Sequence, residues 1–375
     1  MSVQLSTDQV RFLRQYAQHL IPNQPGTHIS VTQVVLEVCG IQAQDTNAAA
    51  LAIRVRGAGL ISADVEQARI QQRSIVRTWG PRGTLHLLAT QDLRWLLTLL
   101  GPAFIAGNRS RRLELGLNDE TSIRGAQLIR DILAGQGPLT RDELVEQLAT
   151  RGIHLEGQAR PHLISYAALH GILCFGPDRG TKPTYVLLDD WLDRAHLTSL
   201  SQETACEELA RRYLAAYGPA SPDDMVAWSG LPMSEIRAAW KRIADSIVEV
   251  EVTGQLAWLP KTHLARLDEF PDHPLVVRLL AGFDTYLLGY RNRDIAVAPP
   301  FAKRINAGGG MIRPALLVNG QAVGTWKSPQ RKKQLDVVVE PFEQLSPGVQ
   351  PALEAEARDI ARFLGIPAVE LDVWK

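Results

Sequence analysis

The sequence has no surplus of either charge: its 375 residues hold 40 Lys plus Arg and 40 Asp plus Glu. A promiscuous nucleic-acid coat would be strongly basic, so that class is disfavoured, although a polarised surface depends on local clustering. Cysteine is scarce. Cys39, Cys174 and Cys206 are odd in number, far apart and without metal-ligand spacing. They are expected to be buried free thiols in a reducing compartment. Long apolar runs are missing too. The most apolar stretch, Trp95 to Ala106, is interrupted by Gly101-Pro102 and falls short of the ~20 residues that a membrane span requires. No charged head, apolar run and cleavage site mark a signal peptide, so a cytoplasmic location away from membranes is expected. The nine histidines are scattered, and no Walker loop, dinucleotide fingerprint or nucleophile elbow occurs, so neither metal nor cofactor is expected. Gly308-Gly309-Gly310 has no strand-turn-helix context and reads as a flexible loop rather than a phosphate cradle.

A hydrophobic content of 45% predicts a buried core, and the length predicts two to four units. Gly137-Pro138-Leu139-Thr140-Arg141-Asp142-Glu143-Leu144-Val145 aligns with Gly218-Pro219-Ala220-Ser221-Pro222-Asp223-Asp224-Met225-Val226. Both copies carry Gly-Pro, a hydroxyl N-cap, an acidic first turn and an apolar pair, a pattern that starts a helix. The first copy predicts a further helix at 160–170 and strands at 172–175 and 184–188. The second predicts a helix at 234–243 and strands at 247–252 and 255–259. Residues 7–20, 31–39 and 63–72 read as helices, with Pro22, Pro25 and Gly26 ending the first. Strands are expected at 74–79 and 84–88, joined by Gly80-Pro81-Arg82-Gly83. Helices followed by a hairpin are the plan of a winged helix, so three tandem units of an α+β protein are expected. Asn319-Gly320 signals a type I′ hairpin between strands, and a final helix over 349–364 should stop at Gly365.

Within the first unit, Gln42 and Gln44 are separated by Ala43 and followed by Asp45-Thr46-Asn47 and an alanine-rich stretch. In an extended or turning backbone both carboxamides point to one side; in a helix they would diverge by about 200°. The segment must therefore stay non-helical through Gln44, with Asp45 or Thr46 as N-cap. On spacing alone, a polar turn between two helices is the commoner source of such a segment.

Gln42-Ala43-Gln44, then Arg77-Thr78-Trp79-Gly80-Pro81-Arg82-Gly83-Thr84-Leu85-His86, then Phe283 to Arg291 with Val318-Asn319-Gly320 and Gly324-Thr325-Trp326, occur in this order. Together the three blocks resemble the AlkZ-type winged-helix DNA glycosylases, over most of the chain. The resemblance implies a catalytic role for Gln42 and Gln44, matching the Gln-x-Gln form of the family's motif, and a small β-barrel-like carboxy-terminal domain. The expected division is 1–90, a helical connector at 91–136, 137–200, 201–270 with its bridging helix, and 271–375.

Carboxamides cannot serve as strong bases, but they can fix a water by accepting and donating hydrogen bonds. That suffices where the leaving group is already activated. An N7-alkylated purine is cationic and leaves as a neutral base, while the sugar gains oxocarbenium character. The predicted reaction is monofunctional hydrolysis of such N-glycosidic bonds, and the resemblance implies an extension to bulky adducts and interstrand crosslinks. The partner would be double-stranded DNA and the protein a monomer. Candidate DNA contacts are Arg54, Arg56, Arg77, Arg82, Arg109, Arg111, Arg112, Arg291 and Arg293. Trp79 is expected in the core under the hairpin, with base stacking as its alternative, and His86 in a packed or solvated role. The rival reading is a non-enzymatic winged-helix DNA-binding protein such as a transcriptional regulator. Such regulators are ordinarily symmetric dimers, and three unequal units in one chain fit that poorly.

Overall fold

Hydroxyl and acidic side chains set where the helices begin. Ser6 opens helix α1 (Thr7–Ala17) by accepting from the Gln9 N–H while the Gln9 side chain accepts from the Ser6 N–H, a reciprocal cap. α1 ends earlier than expected. His19 adopts φ 54° and the Leu20 N–H closes back onto the Gln15 carbonyl at 2.9 Å, so a left-handed turn stops the helix. The structure, a computed structural model, describes residues 3–21, 28–192, 198–331 and 334–374. Pro22, Pro25 and Gly26, expected to end this helix, lie outside the described residues.

The chain divides into two compact units, Met1–Glu66 with Glu207–Trp228 and Pro232–Lys375, and Gln67–Cys206 with Ser229–Leu231. This division follows packing and joins stretches distant in sequence, whereas the expected segments follow the chain. The segment 1–90 contributes its helices to the first unit and its hairpin to the second.

The repeat is legible in the structure. Thr140 caps the helix Arg141–Thr150, with Glu143 returning a bond to the Thr140 N–H at 2.8 Å. Ser221 caps Pro222–Ser229 in the same way, with Asp224 accepting from the Ser221 N–H at 2.9 Å. The first copy continues through the helix Ala159–Leu169 and the hairpin Leu173–Phe175 and Thr184–Leu187. The second continues through Met233–Arg242 and the hairpin Ile247–Val252 and Gln255–Pro260. The pairing before each cap also repeats: Leu139 lies opposite Tyr185, and Ala220 opposite Trp258, both antiparallel.

In the second unit, Ile129, Leu133, Leu144, Leu148, Leu163 and Ile164 form one core. The helix Leu93–Gly107 runs straight through Gly101-Pro102. A side chain at Gly101 would meet the Leu169 carbonyl oxygen at 2.5 Å, so glycine there permits close helix packing.

The carboxy-terminal part of the first unit is a six-stranded sheet. Val277–Leu280, Ala315–Val318, Gln321–Lys327 with Gln330–Arg331, and Gln334–Pro341 pair antiparallel in that order. Ala368–Val373 adds a parallel edge. The barrel-like expectation is met in part, because the strand order leaves the sheet open. Asn319 and Gly320 both have positive φ, 46° and 77°, as a type I′ turn requires. The helix Val349–Leu364 buries Leu353, Ala357 and Ile360 and stops at left-handed Gly365. Among the strands not anticipated are Ala368–Val373 and Val3–Leu5. The latter pairs parallel with Ile247–Val252, and such pairing is fixed by a distant partner rather than by a local signal. Of the basic edge Arg331-Lys332-Lys333, the two lysines lie outside the described residues.

Candidate active site and DNA-facing residues

Helix α2 (Val31–Glu37) leads into the glutamine segment. Cys39 and Gly40 take φ of 58° and 101°, and the Gly40 N–H bonds the Val35 carbonyl at 2.9 Å. Ile41 and Gln42 are extended, and the chain becomes helical only at Thr46. Asp45 is the N-cap of helix α3 (Thr46–Arg54), at φ −105° and ψ 118°. Its Oδ1 accepts from the N–H groups of Asn47 and Ala48 at 2.8 and 3.0 Å. Both glutamines therefore precede the helix. Gln42 is 7% exposed and Ala43 wholly buried, whereas Gln44 is exposed. One carboxamide is nearly withdrawn from solvent and the other is open to it.

The far end of α3 corrects two expectations. Arg54 and Arg56 do not reach a surface: they are 3% and 2% exposed. Arg56 gives Nη1 to Asp284 Oδ2 at 2.8 Å and Nη2 to Asp284 Oδ1 at 2.7 Å, with further bonds to the Ala52 carbonyl, Gln18 and Thr285. Arg54 bonds Glu356, Asp359 and the Leu279 carbonyl. Glu356 is shared with Arg278 at 2.8 Å. These guanidinium groups are spent inside the first unit, where a bidentate carboxylate offsets the cost of burying the charge. They anchor α3 and are not displayed to DNA.

Arg77 and Arg112 need the same correction. Arg77 is 7% exposed, with its guanidinium 4.5 Å from the Phe175 ring centre. Arg112 is 4% exposed and donates to the Ile105 carbonyl at 2.8 Å. Arg293 is half-buried, gives Nε to the Leu287 carbonyl at 2.7 Å, and burial lowers its pKa. The candidates that stay at the surface are Arg109, Arg111 and Arg291. Arg109 meets Asp119 at 2.6 Å, Arg111 meets Glu114 and Gln158, and Arg291 meets Asp223 at 2.9 Å. All are exposed pairs in water, which hold together weakly and exchange partners readily.

Arg82 is half-buried at the tip of the hairpin Ile75–Trp79 and Leu85–Ala89, held at φ 58° and ψ 13°. A residue with a Cβ is strained in left-handed backbone, and strain of this kind clusters at functional turns. Trp79 packs against Phe175, ring centres 5.6 Å apart, which favours its core role. His86 is 2% exposed and its Nδ1 donates to the Thr84 carbonyl at 3.0 Å. Burial first, and then the Arg82 charge, push its pKa down to about 3. The ring is packed and neutral.

Among the described residues, no group of three His, Cys, Asp or Glu is placed to hold a metal ion. Likewise no helix is long and apolar enough to cross a membrane. Cys39, Cys174 and Cys206 are buried thiols in no disulfide.

Comparison with known proteins decides between an enzyme and a regulator. The sequence model of the AlkZ-like DNA glycosylases matches residues 35–363, a span that includes both glutamines and all three blocks. The chain belongs to the AlkZ-like DNA glycosylase family. It is 30% identical over 353 residues to an interstrand DNA cross-link repair glycosylase of Streptomyces sahachiroi, covering 92% of this chain and 93% of that one. The solved structure of Streptomyces sahachiroi DNA glycosylase AlkZ superimposes with a TM-score of 0.82 at 28% identity, covering 99% of this chain and all of that one. Family membership makes DNA the substrate and glycosidic-bond cleavage the chemistry, and the regulator reading loses its ground.

Sequence reasoning passed over the residues that hold α3 in place. Asp284 lay inside the third block, and Gln18 and Glu356 inside amphipathic helices. The signal that could have found them is a polar residue on an otherwise apolar helical face, as Glu356 is between Leu353 and Ile360.

Proposed function

We propose that this chain is a monofunctional glycosylase that hydrolyses the N-glycosidic bond of N7-alkylated purines in double-stranded DNA, with Gln42 and Gln44 orienting the water. Supported by the Streptomyces relative, whose name states interstrand DNA cross-link repair for that protein, the unhooking of interstrand crosslinks belongs to the same proposal. So does the organisation into three winged-helix units along 1–90, 137–200 and 201–270, joined by the helical connector 91–136 and followed by the carboxy-terminal domain 271–375. The protein would act as a monomer in the cytoplasm, with Arg82, Arg109, Arg111 and Arg291 meeting phosphates.

The observation that carries this reading is the glutamine segment itself. It is non-helical up to a capped helix start, with one carboxamide buried and the next open to solvent. As the bond from C1′ to the purine breaks, its electron pair passes to the ring and cancels the positive charge. Water adds to the oxocarbenium carbon and loses its proton to solvent. No strong base is needed, and carboxamides that fix the water suffice.

The test is single-turnover excision from matched duplexes carrying N7-methylguanine or uracil, in EDTA. The wild-type protein should release the cationic base and leave the neutral one. Gln42→Ala and Gln44→Ala should each slow release by about a hundredfold with little loss of DNA affinity. The double variant should be scarcely worse than the poorer single one, because groups acting as a unit are non-additive. Comparable rates on both duplexes, or full activity in the double variant, would place the chemistry elsewhere.

A further inference from the structure

The second unit contains a cavity of about 890 Å³ whose lining includes neither glutamine; of the arginines proposed to meet phosphates, Arg109 alone stands in its wall. Its volume lies within the range of pockets that take drug-sized ligands. Leu93, Leu97, Ile105, Leu169 and Leu188 supply apolar walls, and Tyr166 closes one side. Four arginines also line it: Arg94, Arg109, Arg112 and Arg130. Two of them are answered by carboxylates in the same wall. Arg109 lies 2.6 Å from Asp119, and Arg130 lies 3.9 Å from Asp189. The other two touch no carboxylate, although Asp119 is near enough to Arg112 for the two charges to interact. Arg94 and Arg112 make no ion pair among the described residues.

Arg112 is the unusual group. At 4% exposure it has one hydrogen bond, from Nη1 to the Ile105 carbonyl, and its Nε has no partner. Its guanidinium lies 4.8 Å from the Tyr166 ring centre, and His170 packs edge-on against the same ring at 4.5 Å. A buried cation with no carboxylate in contact is costly, and buried guanidinium groups are normally paired directly with one, as Arg54 and Arg56 are. Here the wall beside the unpaired cation is a cavity rather than packed protein.

We propose that this cavity binds a small amphiphilic anion, its carboxylate or other monoanionic head on Arg112 and Arg94 and its apolar body against the leucine walls. A DNA backbone would need the cations but not the apolar chamber, so the shape favours a small molecule. The ligand would supply what Arg112 lacks, a counter-charge in direct contact with its guanidinium.

A charge series on one apolar body tests this with the full-length protein: 2-naphthoate, 2-naphthalenemethanol and 2-naphthalenemethylamine, titrated by calorimetry, with inorganic phosphate as the bodiless anion. The anion should bind about tenfold or more tighter than the neutral alcohol, and the amine and phosphate should bind least. Bound anion should also raise the titration midpoint of His170 followed by proton NMR, because burial and the Arg112 charge now hold it below its ordinary value. Arg112→Met should remove the preference for the anion. Should that variant fail to fold, Arg94→Gln, at an exposed position without an ion pair, should still weaken 2-naphthoate and leave the alcohol unchanged. Equal affinity for anion and alcohol, or no binding of any of the series, would each overturn the assignment.

Discussion

Replacing Arg56 with Met should unfold the first unit at a markedly lower temperature and leave DNA affinity intact while the protein is folded. Both side chains of the Arg56–Asp284 pair are wholly buried, and Arg56 makes five hydrogen bonds of 2.7 to 3.0 Å. Removing one partner of such a pair leaves an uncompensated charge in the interior, at a cost of about 3–5 kcal/mol. For a unit of this size that amounts to a fall in Tm of roughly 10 °C. A second substitution sharpens the test. In Arg56→Met/Asp284→Asn the stranded carboxylate is gone, while an acceptor remains for the Tyr286 N–H that Asp284 now caps at 2.9 Å. The double variant should therefore be more stable than Arg56→Met alone, the signature of a coupled pair. Melting curves from tryptophan fluorescence would give the stabilities, and fluorescence anisotropy of a labelled duplex at 20 °C, kept well below every Tm, the affinities. An Arg56→Met protein with unchanged Tm and weakened DNA binding would show that Arg56 faces DNA after all.

Three smaller predictions concern the cap, the turn and the buried histidine. Asp45→Ala should cost about 1 kcal/mol of stability, whereas Asp45→Asn, which keeps a capping oxygen, should cost little; urea unfolding of the two variants checks this. Arg82→Gly should leave stability unchanged or raise it by up to about 1 kcal/mol by relieving the left-handed strain, yet weaken DNA binding across sequences and flatten its salt dependence. His86 binds its proton less readily when folded, so its contribution is complete above the unfolded pKa of about 6.5 and is lost as pH falls towards 3. Between pH 7 and pH 5 the loss should be about 2 kcal/mol, and it should be absent from the pH dependence of His86→Asn measured by urea unfolding.

Local chemistry was the legible part of this fold. Thr140 with Glu143, Ser221 with Asp224, and Asp45 before α3 announce helix starts because a cap is a contact within four residues. Asn319-Gly320 and Gly365 announce their turns for the same reason. The glutamine segment was legible on similar grounds, since only a non-helical backbone could set its two carboxamides to one purpose. The arginines were not. Arg54 and Arg82 are the same residue type in similar company, yet one is buried against Glu356, 302 residues away, and the other sits on a hairpin tip. A cation's fate depends on whether the fold brings it a carboxylate, and no local pattern encodes that.

The same distance argument bears on why the recognisable blocks are spread along the chain. The stretch just past α3 meets the Phe283–Arg291 block inside the first unit, where Arg56 clasps Asp284. Arg54, two residues earlier, ties the same helix to Glu356 near the carboxy-terminus. The helix that follows Gln44 is thus fixed at its start by its own cap and at its end by residues 228 and 302 positions downstream. α3 is nine residues long, shorter than an isolated helix needs to persist in water. A fragment that ends before the carboxy-terminal sheet would leave both guanidinium groups without their carboxylates, and α3 without the packing that sustains it. The candidate active site is accordingly a property of the assembled unit. Residues 1–66 alone, followed by circular dichroism, should show little helix, and a stable helical fragment would mean that the two arginines matter less than their burial implies.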